Sequence, residues 1–199
     1  MTTIYFVRHG EADYRNVPMR DATATSPDLA PLSAFGRMQI ETLARDYRLA
    51  EVQAILTSSY ARALESAALL SRAVGAPLYV EVDLHEWIPP SRGPDGRVDV
   101  ATLRAAADDP EATMDIRGGE RLVDVRRRTL EVLQRYRTFE RLAVVTHAVT
   151  IASVVGPRAV QHAEIVEYRL DAPLGVGVHT GLDDVTLVHD DGVVTSERG

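Results

Sequence analysis

Three short clusters in this chain hold side chains able to do nucleophilic or acid-base work, and each follows an apolar run. Arg8-His9-Gly10 follows Thr3-Ile4-Tyr5-Phe6-Val7, Ser58-Ser59 with Arg62 follows Ala54-Ile55-Leu56-Thr57, and Thr146-His147 closes Leu142-Ala143-Val144-Val145. Short runs rich in branched residues read as buried parallel strands. Open α/β sheets place their ligands beyond the carboxyl ends of such strands, so two imidazoles and two guanidiniums are expected to meet on one rim. A concentration of cations without counter-charge is costly, which makes an anion the natural occupant. Planar guanidinium forks fit phosphate oxygens, and amides at the start of the helix after His147 would be further donors.

What the chain lacks narrows the chemistry. All 22 basic residues are arginine, and there is neither lysine nor cysteine among the 199 residues. Thiol nucleophiles, thiolate metal sites, disulfides, Schiff bases, Walker-A loops and kinase-type ATP lysines are thereby excluded. The formal charge of −7, from 22 arginines against 29 Asp and Glu, argues against nucleic acid or an anionic membrane surface as partner. The longest apolar stretch, around Leu142 to Val155, is broken by His147 and too short for a bilayer, and the N-terminus lacks a secretory pattern. A cytoplasmic protein of one domain, residues 1–199, is expected; nothing in the sequence signals an oligomeric state.

The elements that must position these residues follow from periodicity and punctuation. From Glu11 to Leu32 there is no clean period, too much chain for an idle connection, so it reads as a functional loop. Ser33 reads as the N-cap of a helix with Ile40, Leu43, Ala44 and Tyr47 on one face. A second helix, with Tyr60, Leu64, Ala67 and Ala68 on one side, stops at Gly75, and Leu78-Tyr79-Val80 forms a third strand. After an irregular stretch from His85 to Arg97, a short helix is expected over Val100 to Ala107. The clearest helix follows Gly118-Gly119-Glu120, with Leu122, Val125, Thr129, Val132, Leu133 and Tyr136 inward and Arg127, Arg128, Glu131 and Arg135 on a solvated face. A helix from Val149 to Val155 follows the strand ending at Thr146. The tail reads as strands around Glu164 to Leu170, Val185 to Val188 and Val193 to Thr195, the last two joined by an Asp190-Asp191-Gly192 turn. The alternation predicts a three-layer α/β/α sandwich with a mostly parallel central sheet and an antiparallel edge.

The motifs taken together resemble the histidine phosphatase superfamily, in its phosphoglycerate-mutase-like branch. The resemblance rests on Val7-Arg8-His9-Gly10-Glu11, Pro31-Leu32-Ser33-Ala34-Phe35-Gly36-Arg37-Met38-Gln39, Thr57-Ser58-Ser59-Tyr60-Ala61-Arg62, Leu84-His85-Glu86, Gly119-Glu120 with Asp124 and Arg128, and Val145-Thr146-His147, in that order along nearly the whole chain. It implies that His9 attacks phosphorus and carries the phosphoryl group, that Arg8, Arg62 and His147 hold its oxygens, and that Glu86 is the general acid and then the base. To attack, His9 needs a bare nitrogen, which neighbouring arginines favour, and the Gly10 carbonyl is the expected acceptor for its other nitrogen. Glu81 and Asp83 are the nearby rivals to Glu86. No metal or organic cofactor is implied.

Two positions depart from the family pattern. An Asn often stands six residues after the nucleophile; here Arg15 does, with Asn16 one step later, so either side chain is a candidate for the phosphate contact. The residue after the second histidine is usually Gly, whereas Ala148 narrows the pocket and leaves the backbone amide in place. His85, His162, His179 and His189 read as surface or structural residues, and Trp87 as packing or a pocket wall. A phosphatase acting on a small phosphorylated metabolite is the leading expectation. A phosphoglycerate-type mutase, a phospho-ligand sensor without turnover, and a metal hydrolase using His9, His147 and Glu86 are the rivals, the last lacking any familiar ligand spacing. Specificity falls to the loops at 11–32 and 85–97.

Overall fold

The computed structural model describes residues 1–15, 17, 27–88 and 120–170. The helix expected at 100–107, the strands expected at 185–188 and 193–195, Asn16, His179 and His189 lie outside the described residues. Five strands form one sheet in the order β3-β2-β4-β1-β5: β1 (Thr2–Arg8), β2 (Ala54–Thr57), β3 (Leu78–Val80), β4 (Arg141–Thr146) and β5 (Ile165–Leu170). The first four run parallel, and β5 lies antiparallel on β1.

Side chains alternate between the two faces of a strand, and both faces here are covered. Ile4, Phe6, Leu56, Leu142 and Val144 pack with residues of α3 (Leu122–Arg135) and α4 (Ala148–Val155). Tyr5, Val7, Ile55, Ala143 and Val145 pack on the opposite side with residues of α1 (Ala34–Leu43) and α2 (Ala61–Val74). This is the expected three-layer α/β/α arrangement with its antiparallel edge. Double coverage is why β1 and β4 read as unbroken apolar runs. No helix among the described residues is long and apolar enough to cross a membrane.

Three expected helix faces are corrected. Tyr47 is exposed because α1 ends at Leu43 and the chain turns into a 3-10 segment, Tyr47–Leu49, that buries Leu49 instead. In α2, Leu64 and Ala68 face solvent, and the inward face carries Ala63, Ala67 and Leu70, with Arg62 and Ser66 also buried. An alanine-rich helix offers two stripes of similar hydrophobicity, and the sheet selects the one that also carries Arg62. In α3, Arg128 is turned inward and mostly buried, whereas Arg127 and Arg135 are exposed. The Gly75 stop is present, with φ 76° at the helix C-cap.

The loop after β1 is fixed to the start of α1. Ser33 Oγ accepts from the Gly36 N–H at 2.9 Å and donates to Glu11 Oε1 at 2.7 Å, while Gln39 Oε1 accepts from the Glu11 N–H at 2.8 Å. The two backbones touch. A methyl group at Gly36 would stand 2.1 Å from the Glu11 carbonyl oxygen, and one at Gly10 would stand 2.4 Å from the Gly36 carbonyl oxygen. Gly36→Ala is therefore expected to lower stability by about 2 kcal/mol or more, as an overpacked contact between two backbones does. Urea unfolding checks this; an unchanged midpoint would show that the loop yields without cost.

Candidate active site

Strand register brings the predicted residues together. Arg8 is opposite Thr146 across the β1–β4 pair, so His9 and His147 leave the sheet side by side, their ring centroids 5.1 Å apart at 65°. The His9 N–H donates to the Thr146 carbonyl at 3.0 Å, and the Ser58 N–H to the Val145 carbonyl at 3.1 Å, which sets the end of β2 against the same rim. One turn later α2 presents Arg62. All of His9, Ser58, Arg62 and His147 are buried.

The hydrogen bonds fix the protonation of His9. Arg62 Nε–H lies 3.1 Å from His9 Nε2, and a guanidinium nitrogen only donates, so Nε2 holds a lone pair. The ring proton is then on Nδ1, which donates to the Gly10 carbonyl at 2.6 Å as expected from the sequence. Burial, with Arg62, Arg8 and His162 adding to it against the Gly10 carbonyl, lowers the pKa of His9 to about 3. The ring is neutral at pH 7.

His147 has Nε2 2.9 Å from Ser58 Oγ, while its buried Nδ1 has no partner. Burial first, then Arg62 and His9, pushes its pKa well down, so it too is neutral. Tyr60 forms the wall beside it, edge-on to the His147 ring at 5.1 Å and with the Arg62 guanidinium 5.1 Å over its face. Burial and the bonded Asp28 carboxylate push the Tyr60 phenol up to about 12. His85 stacks on Tyr60 at 6.1 Å.

Arg8 and Glu86 interact electrostatically. Arg8 donates from Nη1 to the Val160 carbonyl at 2.6 Å, and its buried Nε has no partner. Burial lowers its pKa. Glu86 Oε1 accepts from the Trp87 N–H at 2.9 Å and the Thr150 N–H at 3.3 Å. Burial raises the Glu86 pKa, opposed by the Trp87 amide, Arg62 and the Val149 and Thr150 amides. The amides at the start of α4, expected to be ligand donors, thus hold Glu86.

The model of the histidine phosphatase superfamily (branch 1) matches residues 4–164, a span that contains every one of these groups. The chain belongs to that superfamily. As a member it is an enzyme of the phosphatase type. Among solved structures, Bacillus stearothermophilus YhfR is 26% identical, with 86% of this chain and 92% of that one covered at a TM-score of 0.64. Mycobacterial glucosyl-3-phosphoglycerate phosphatase is 20% identical (84% and 89% covered, TM-score 0.62), and mycobacterial hydrolase 1 is 21% identical (84% and 88%, TM-score 0.63). These two share the fold. No curated protein gives a match.

Not every candidate of this histidine phosphatase superfamily member reaches the rim. Arg15 is exposed and gives both arms of its fork to Asp13, at 2.9 and 2.6 Å. Asn16 lies outside the described residues. Ala148 opens α4 beside His147. Three residues escaped the sequence reading. His162 reaches Arg8 through the loop before β5, and His85 and Tyr60 line the wall. The one available signal was the position of Tyr60 and His85 next to motif residues.

Arg128 anchors the acid-bearing segment. It forks onto Glu120 at 2.6 and 3.0 Å and donates to the Asp83 and Glu86 carbonyls. Thr146 Oγ1 donates to the Leu84 carbonyl at 2.6 Å, and Thr150 Oγ1 to that of His85 at 2.9 Å. Arg128→Ala leaves the shielded Glu120 carboxylate unpaired and frees the backbone on both sides of His85. A loss of about 2 kcal/mol, less than for a fully buried pair, is expected in urea unfolding, with kcat falling more than KM rises. Unchanged kcat would separate this network from catalysis.

Proposed function

We propose that this chain is a metal-independent phosphomonoester hydrolase that works through a phosphohistidine on His9. The reading takes the whole chain as one domain acting in the cytoplasm on a small phosphorylated metabolite. The observation that carries it is the bare Nε2 of His9, facing a cation on a rim with a second arginine and a neutral histidine. In the first step the Nε2 lone pair attacks phosphorus in line, and the bond from phosphorus to the leaving oxygen breaks. Arg62 moves its N–H from Nε2 to a phosphoryl oxygen, where it, Arg8 and His147 stabilise the charge that spreads over the oxygens. Protonated Glu86 gives its proton to the leaving oxygen; its raised pKa supports that role. In the second step the Glu86 carboxylate takes a proton from water, the water oxygen attacks phosphorus, the P–N bond breaks and phosphate leaves.

Asp28 favours hydrolysis over mutase chemistry in this reading. Its carboxylate is hydrogen-bonded to Tyr60 and interacts with Arg62 and His85, so a second anionic group on the substrate meets a negative charge at that part of the rim. Among the described residues no cluster of three or more His, Asp or Glu is arranged to hold a metal ion. The likeness in fold to a glucosyl-3-phosphoglycerate phosphatase suits a small phosphorylated metabolite as substrate.

A panel of phosphomonoesters assayed with chelator present, joined to mass spectrometry of rapidly quenched enzyme, tests the mechanism. Phosphate on His9 and undiminished activity in chelator are expected. Glu86→Gln is expected to lower kcat by about 10²- to 10⁴-fold, the usual worth of a general acid. An active reaction with no labelled His9 sinks the covalent mechanism, and phosphoglycerate interconversion outpacing phosphate release points to the mutase.

A further inference from the structure

The segment between α4 and β5 brings a third imidazole to the rim. Ala163, at φ 56°, turns the chain into β5, and its N–H donates to the Arg8 carbonyl at 3.0 Å, tying this loop to the end of β1. The preceding residue, His162, places Nε2 2.9 Å from Arg8 Nη2. A guanidinium has only donors, so His162 Nε2 is the accepting nitrogen and the ring is neutral in this contact. Its centroid lies 5.5 Å from that of His9.

We propose that His162 is a positioning residue that aims Arg8 at the phosphoryl group while its ring is neutral, and that protonation of the ring releases Arg8 and weakens substrate binding at acid pH. This rests on the reading of Arg8 as a phosphoryl ligand. Two nitrogens of the Arg8 fork are held by the 160–162 segment, by the Val160 carbonyl and by His162, and these two bonds set the direction of the buried, unpartnered Nε–H edge. Of the two, only the His162 bond can be lost to a proton. Protonated His162 would turn N–H against N–H and add a like charge beside Arg8.

Among the described residues, the charged and titratable groups facing His162 are Arg8 and His9 at the end of β1, Glu11 just beyond, and Arg62 on α2. Partial burial and then Arg8 lower the His162 pKa, with Glu11 opposing. The change therefore falls below the ordinary histidine range. His9 is lowered to about 3, and burial holds His147 well below the ordinary histidine range.

The test compares wild type, His162→Gln and His162→Ala with p-nitrophenyl phosphate as substrate and inorganic phosphate as inhibitor across the acid range. The Gln carbonyl can accept from Arg8 and does not titrate. At about pH 7.5, His162→Gln should keep kcat/KM within about twofold, while His162→Ala should raise KM and the phosphate inhibition constant by about tenfold with a smaller change in kcat. The ratio of His162→Gln to wild-type kcat/KM should rise several-fold as the pH falls below the ordinary histidine range; ionisation of the shared substrate cancels in this ratio. Unchanged KM and inhibition constant in His162→Ala, superimposable pH profiles, or tighter phosphate binding by wild type alone at acid pH would each overturn the proposal. The His9→Ala variant, run alongside, separates the two readings. Turnover surviving there removes the phosphohistidine mechanism and this inference with it. Turnover lost there, with unaltered constants in His162→Ala, removes only the role of His162.

Discussion

The site depends on one imidazole gripped from both sides in opposite senses. Arg62 donates to Nε2 of His9, and Nδ1 donates to the Gly10 carbonyl. A ring bonded this way is neutral with its lone pair fixed in direction, and neither partner has to travel to make it so. Ser66 makes the grip rigid. Its hydroxyl accepts from the Gly10 N–H at 3.2 Å and donates to the Arg62 carbonyl at 2.7 Å, joining the loop after β1 to the first turns of α2. The close approach of Gly10 to Gly36 adds α1 to the same unit. The two helices on one face of the sheet thus position the histidine and its arginine together, and on the opposite face α3 and α4 hold Glu86 through Arg128 and Thr150.

Charge at the rim is handled by distribution. Arg8 and Arg62 are the cations, and burial and the arginines lower the pKa of His9, His147 and His162 beside them. Glu86 is held by the Trp87 amide of its own segment and by amides at the start of α4. The rim carries two arginines although the chain as a whole has a formal charge of −7. The absence of lysine costs this site nothing, since each cationic role it contains uses the planar fork or the permanent charge of arginine.

Much of this was legible in the sequence because the strands are apolar runs and the reactive residues stand directly after them. The bounds expected for β2 and β3 agree to the residue, and the Gly10 carbonyl expected as the acceptor for His9 is its partner. The misreadings share a cause. Arg128 lies in a run of three arginines whose helical phase alone does not show which one turns under the acid-bearing segment. In α2 the choice between two alanine-rich stripes is made by the sheet. His162 was missed because its place at the rim arises from antiparallel pairing of β5 with β1, a contact between residues more than 150 positions apart in sequence, and no local pattern encodes it.

The strand order also governs the order in which the molecule can be built. β1 is made first, yet its neighbours are the two strands made last among those described, β4 and β5. At ribosomal speeds of about 5–20 residues per second, the strand that leads to His9 waits on the order of ten seconds for either partner. Through that interval Ile4, Phe6 and Val7, later among the most deeply buried residues, have no edge to pair with. Such a topology is rich in long-range contacts and folds slowly, so β1 lacks its native neighbours until the residues of β4 and β5 have been made. The rim is complete only when the second half of the chain brings His147 beside His9.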